Sequence, residues 1–301
     1  MRTIHPSNHS PGSEPALSFD QLRSSLVDLQ PTLLSTDGLA VVFGHELWLW
    51  SWVTELLVGV PSPGSPRRYI EGDDLHGGPG TLLRLSIWTA LADCRPPLSL
   101  DKHARKEETS KKLEEEPNAQ QLVGSRTSIL TYLSFPLLEA LTKLRCCDHV
   151  SLDGRALQRF TVDDETYGPG KRVSGLKHLL LLLSEHVASP TEKEALESIR
   201  SSIQVARGID GFKQISAWRN SQAHGSESLQ AIGYTVYNLA LLVGLHGIQD
   251  RFDDIREDAR AFIAELLEIE AHHNSPRFTP LHYYPPHWRK SLPGITHIST
   301  L

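Results

Sequence analysis

The side chains best suited to do chemistry together stand in one short stretch, Trp218-Arg219-Asn220-Ser221-Gln222-Ala223-His224-Gly225. A neutral imidazole near pH 7 can accept a proton and return it. A guanidinium fork suits a phosphoryl group that is gathering negative charge. Arg219 and His224 are five positions apart, so on an unbroken helix they would differ by about 500°, or roughly 140° around the axis. They would then not share a face. They converge only if a helix begins between them. Asn220 is a good N-cap for such a start, leaving Arg219 in the preceding turn and His224 in the first turns of the next helix. The same residues also fit a purely structural role, with Asn220 capping, His224 at a helix end and Arg219 on the surface.

Other groups carry weaker chemistry. Gly72 to Gly80 precedes a helical segment, but no Lys-Ser/Thr follows its glycines, so a turn is expected there and not a P-loop. His272, His273, His282, His287 and His297 have no metal-ligand spacing, and no metal or cofactor is expected. Trp48, Trp50 and Trp52 recur at every second residue and cannot share one helical face, so they read as core packing of a helix buried nearly all round. Cys146 and Cys147 read as a helix end. Glu139 is expected to be solvated, with a role as an auxiliary polar residue in the helical core as the alternative.

The elements that must position these residues are helical. Apolar residues recur at steps of three and four almost throughout, and no run of alternating β-branched residues stands out. Helices are expected over Phe19–Leu29, Leu39–Gly59 and Thr81–Cys94, the last ended by Pro96 and Pro97. Residues 126–147 form a leucine stripe interrupted by Pro136, which should kink it. A loop is expected from Asp148 to Lys171. Three further helices follow: Val173–Val187, Pro190 to about Arg207, and Leu229 onward with a stripe of Leu229, Ile232, Val236, Leu239 and Val243. Asp250–Ala271 reads as a last amphipathic helix. The expected organisation is an all-α protein. It comprises a disordered start (1–16), a helical region of unknown role (17–100), a charged linker or solvated helix (101–120), a helical bundle (121–272) and an irregular tail (273–301).

Against this background Arg219-Asn-x-x-x-His224, set between amphipathic helices, resembles the Arg-x(4–6)-His signature of HEPN domains (higher eukaryotes and prokaryotes nucleotide-binding). The Asn after the Arg and the His-Gly that closes the run add to the likeness, which spans roughly residues 125–250. The resemblance implies a metal-independent endoribonuclease, as in toxins or defence effectors. His224 would act in acid–base transfer at the ribose 2′-hydroxyl and Arg219 would steady the phosphate, with Asn220 in support. It also implies a homodimer, because such nucleases bring two motifs into one composite site. Ser226 stands where HEPN toxins paired with nucleotidyltransferase antitoxins carry Tyr, which argues against that subclass. A non-catalytic HEPN module that only dimerises or holds a nucleotide or RNA is the alternative, and a helical adaptor unrelated to HEPN a third reading.

Helix phase gives the dimer a location. If one helix runs from Ser221 into Gly247, then Ala231, Thr235 and Asn238 lie near the face of His224. This strip is smaller and more polar than the leucine-rich one beside it, and it is expected to line a C2 seam.

Composition bounds the rest. The chain has 301 residues with 39% hydrophobic and 22% charged, the balance of a folded protein. Thirty Lys+Arg against 36 Asp+Glu leave a net charge of −6, which excludes coating nucleic acid through bulk charge. Residues 126–250 carry 13 Lys+Arg and 13 Asp+Glu, so RNA binding would need Arg219, Lys213, Arg172 or Lys171 concentrated locally. Three cysteines and no C-x-x-C favour a reducing, cytoplasmic setting. Met1–Pro15 has no apolar core of a signal peptide, and the apolar stretches 39–60 and 229–248 carry polar or charged residues, so no membrane contact is expected. A regulatory partner could act through the N-terminal region.

Overall fold

The computed structural model describes residues 17–34, 46–58, 78–91, 117–173, 175–223 and 230–261. Among the described residues the fold is all-α apart from one small hairpin. In chain order the helices are α1 (Phe19–Leu34), α2 (Glu46–Val58), α3 (Pro79–Leu91), α4 (Pro117–Arg145), α5 (Leu176–Leu182), α6 (Pro190–Arg207), α7 (Gly211–Ala223) and α8 (Gln230–Gly247). A 3-10 turn, Gln249–Arg251, leads into α9 over residues 252–261.

Local chemistry sets several of these boundaries. At the start of α1, the Gln21 amide donates to Ser18 Oγ (3.3 Å), and the Ser18 amide donates back to the Gln21 side chain (2.8 Å). This reciprocal box satisfies two donors that a helix start leaves unpaired. Leu22, Leu26, Leu29 and Leu33 then form a buried stripe that carries α1 past Pro31, beyond the expected end at Leu29. Ser189 caps α6 by accepting from the Glu192 amide, Pro190 fills the first turn, and Gly208 ends the helix in the left-handed region (φ 73°). At the start of α7, Asp210 accepts from the Lys213 amide (3.0 Å) and from Arg200 on α6 (2.5 Å).

Helix α8 is the axis of the molecule. Every residue from Ile232 to His246 is buried, including the expected stripe members Ile232, Val236, Leu239 and Val243. It packs most extensively against α4, and also against α1 and α2. Close approach is built in at Gly244, where an added Cβ would stand 2.7 Å from Leu57 on α2. On α2, Trp50 and Trp52 are core residues as expected.

Helices α1, α2 and α3 contribute to the same hydrophobic cluster as α4–α8. Helix α4 begins at Pro117, inside the stretch expected as a charged linker or solvated helix. Residues 1–16, 101–116 and 262–301, with the histidine-rich tail, lie outside the described residues, as does most of Gly72–Gly80.

A hairpin lies in the expected loop. Strand β1 (Phe160–Val162) pairs antiparallel with β2 (Glu165–Tyr167), joined by Asp163 and Asp164. Both turn residues have positive φ (51° and 62°), the two-residue geometry that matches strand twist. Aspartate tolerates that region better than most side chains.

Candidate functional site

Arg219 lies in the last two turns of α7, where its Nη2 donates to Glu139 Oε2 on α4 at 3.0 Å. The other oxygen of Glu139 pairs with Lys143 Nζ at 2.8 Å, one turn along α4. Glu139 therefore bridges two cations. The Glu-to-Lys spacing of i,i+4 in this orientation is the favourable one on a helix. The loop after α4 comes close to Lys143: a Cβ added at Gly154 would stand 3.6 Å from Lys143 Cε and Nζ.

These residues line an open groove of about 520 Å³. Its charged end is Arg219, Glu139 and Lys143. Its apolar walls include Tyr132, Phe135 and Pro136 from α4, Pro79 from the start of α3, and Leu152 from the loop. Arg219 is 43% exposed, Glu139 25% and Lys143 14%, so the guanidinium is the cation that solvent and ligand reach most easily. Two positive groups against one carboxylate leave the charged end with a net positive charge. A phosphate oxygen could add to the Arg219 guanidinium, which has five donors and uses one of them on Glu139.

The expected site residues fare differently. Arg219 is at the groove. Asn220 is not an N-cap: it sits inside α7, which runs on to Ala223, and its side chain is exposed. No helix starts at Ser221; α7 itself is capped at its start by Asp210. His224 follows the last residue of α7 and lies outside the described residues. The next helix begins at Gln230, so Ser221 belongs to α7 and not to α8.

The expected dimer strip is corrected as well. Thr235 and Asn238 are both fully buried within the chain. Asn238 accepts from the Trp50 indole N–H (2.9 Å) and donates to the Leu26 carbonyl (2.8 Å) and to Gln30 Oε1 (3.0 Å). The strip was expected to be free because it is polar beside a leucine stripe. Asn238 instead finds its partners on α1 and α2, which cover that side of α8. Ala231 lies in α8, with its side chain outside the described residues.

Glu139 is likewise not simply solvated, since it anchors Arg219. Its role, and that of Lys143, could be read only as a possible charge pair from their four-residue spacing.

Two other polar clusters are internally compensated. Near the hairpin, Lys177 pairs with Asp163, Lys171 with Glu165 (2.9 Å), and the Tyr167 hydroxyl meets His178 Nδ1 (3.0 Å). The Lys177 hydrogen bond holds the Asp163 carboxyl below its usual range, and Lys171 does the same for Glu165. Lys171 is thus engaged by Glu165 beside the hairpin. At the end of α4, Arg145 forms an ion pair with the buried Glu192 (2.5 Å), and burial pushes the neighbouring Cys146 thiol up to about 12. Cys146 is a buried helix end, and no thiolate forms there near neutral pH.

Among the described residues, no group of three or more His, Cys, Asp or Glu is arranged to hold a metal ion, and no helix is long and apolar enough to cross a membrane. No protein-family model matches the chain, and neither the curated proteins nor the solved structures contain a match.

Proposed function

We propose that the protein is a metal-independent endoribonuclease of HEPN type, working in the cytoplasm as a toxin or defence effector. The observation that carries this reading is the placement of Arg219 near the end of α7, held by Glu139 at the charged end of an open groove, with His224 one residue beyond that helix.

In this reading the His224 imidazole takes the proton from a ribose 2′-hydroxyl. The 2′-oxygen forms a bond to the adjacent phosphorus as the bond to the 5′-oxygen breaks, and that oxygen leaves with a proton. Products carry a 2′,3′-cyclic phosphate and a 5′-hydroxyl. Arg219 stabilises the charge that grows on the phosphate oxygens, and Glu139 sets its position. One Arg/His pair is sparse for both proton transfers, so a homodimer supplies the second. Its seam lies away from Thr235 and Asn238. A regulatory partner that reached α1 or α2 would act directly on the packing of α8.

The Arg219–Glu139 ion pair also favours a second reading, a non-catalytic HEPN module in which Arg219 is a structural strut. Cleavage of RNA by wild type in EDTA separates the two, and Arg219→Lys then tests the role of Arg219. Lysine keeps the charge but loses the fork. The nuclease reading predicts that cleavage falls at least tenfold with stability nearly unchanged. Unaltered cleavage would remove Arg219 from the phosphate site.

A further inference from the structure

Tyr132 stands seven residues before Glu139 and eleven before Lys143 on α4. These separations return within about 20° to the same bearing around a helix, so the three residues share one face. All three line the groove with Arg219. Tyr132 is 58% exposed, a large aromatic ring left open beside a charged cluster, whereas Phe135 next to it is buried. Pro136 lies between Tyr132 and the charged end and adds a flat, apolar surface. Along the axis, Tyr132 and Glu139 are about 10 Å apart, a span that a phosphate and a neighbouring base can bridge.

We propose that this groove is a subsite for one nucleobase of single-stranded RNA, stacked on Tyr132 while the adjoining phosphate meets Arg219 and Lys143. The choice of strand rests on the ribonuclease reading; the geometry of the subsite does not depend on cleavage. The two ends of the groove match the two parts of a nucleotide. A π-face takes any base, so the subsite adds affinity with little sequence preference. The net positive charge at the other end complements one phosphate, and a site so small gives a shallow dependence on salt.

The test is fluorescence anisotropy of the full-length protein with a labelled ten-residue 2′-O-methyl oligoribonucleotide, which presents bases and phosphates but cannot be cleaved by 2′-oxygen attack. Tyr132→Ala should weaken binding about tenfold or more. Tyr132→Phe, which keeps the ring, should restore most of that affinity. A strand with abasic residues should bind wild type and Tyr132→Ala alike. Tyr132 is exposed, so melting temperature should be unchanged.

Equal affinity of wild type and Tyr132→Ala for the intact strand would overturn the subsite, as would absence of binding to wild type. Loss of a dimer in Tyr132→Ala with undiminished strand affinity would assign this face to a second copy of the chain, and also overturns it. Tyr132-dependent binding without RNA cleavage would defeat the ribonuclease reading and leave the subsite standing. Cleavage that ignores Tyr132 would do the reverse.

Discussion

Glu139 reaches across from α4 to hold Arg219 of α7 at 3.0 Å, while its second oxygen holds Lys143 at 2.8 Å. One carboxylate thereby aims the guanidinium and lowers the net charge of the groove. These two effects separate on mutation. Glu139→Gln keeps an acceptor for Arg219 but removes the negative charge. An RNA strand should bind more tightly, giving a lower KM, while kcat falls about tenfold because the guanidinium is less firmly placed. The pair is partly exposed, so stability should change by no more than about 1 kcal/mol. A steady-state comparison checks this; unchanged KM and kcat would mean that Glu139 does not position Arg219.

Asn238 should be a determinant of stability and not of assembly. Asn238→Ala leaves the Trp50 indole N–H and Gln30 Oε1 without this partner in the interior and removes the second donor to the Leu26 carbonyl, which keeps its helical bond. With about 1–3 kcal/mol for each of the two buried groups left unpaired, the loss should reach at least about 2 kcal/mol in denaturant unfolding. A loss below about 1 kcal/mol would show that α1 and α2 are not tied to α8 through this residue.

Two glycines should respond differently to alanine. A Cβ on Gly211 would sit 2.4 Å from the Arg200 carbonyl oxygen and 2.8 Å from its Cα, so α6 and α7 must move apart. The expected cost is about 1–3 kcal/mol. At Gly244 the obstacle is the far end of the Leu57 side chain, which can turn away, so Gly244→Ala should cost less. Chemical denaturation of both variants decides the order, and the opposite order would contradict the packing described at Gly211.

His246 should make the protein acid-sensitive. Burial is the largest cause of its lowered pKa; Arg145 and Arg23 act the same way, and Glu192 and the Gln249 hydrogen bond oppose them. A histidine whose folded pKa is depressed contributes stability that is fully present above its unfolded value of about 6.5. That contribution is lost as pH falls through the folded value. Stability should therefore decline on going from pH 7 to pH 5, and His246→Leu should flatten the decline. An equal slope in the variant would remove His246 as the cause.

Much of the helical frame was legible because its signals are local. Ser189, Pro190 and Gly208 mark both ends of α6, and the bounds read from sequence agree with those observed. The leucine steps located α4 and α8 for the same reason. The hairpin was not legible, since strands of three residues such as Phe160–Val162 are too short to show alternation. Asn220 misled because it has the chemistry of a cap for a helix starting at Ser221, whereas α7, capped by Asp210, runs through it to Ala223. Thr235 and Asn238 misled because a polar strip beside a leucine stripe looks free to face a second copy of the chain. Only tertiary packing shows that α1 and α2 cover it. The Glu139–Arg219 pair spans eighty residues and leaves no local trace.

Cleavage by His224 can be read by incubating purified wild type and His224→Ala with total RNA in EDTA and analysing the ends of the products. Wild type should give 2′,3′-cyclic phosphate and 5′-hydroxyl ends, and His224→Ala should lose about 10²–10⁴-fold in rate with an unchanged melting temperature. Equal cleavage by the two proteins, or no cleavage by wild type, would contradict this role of His224.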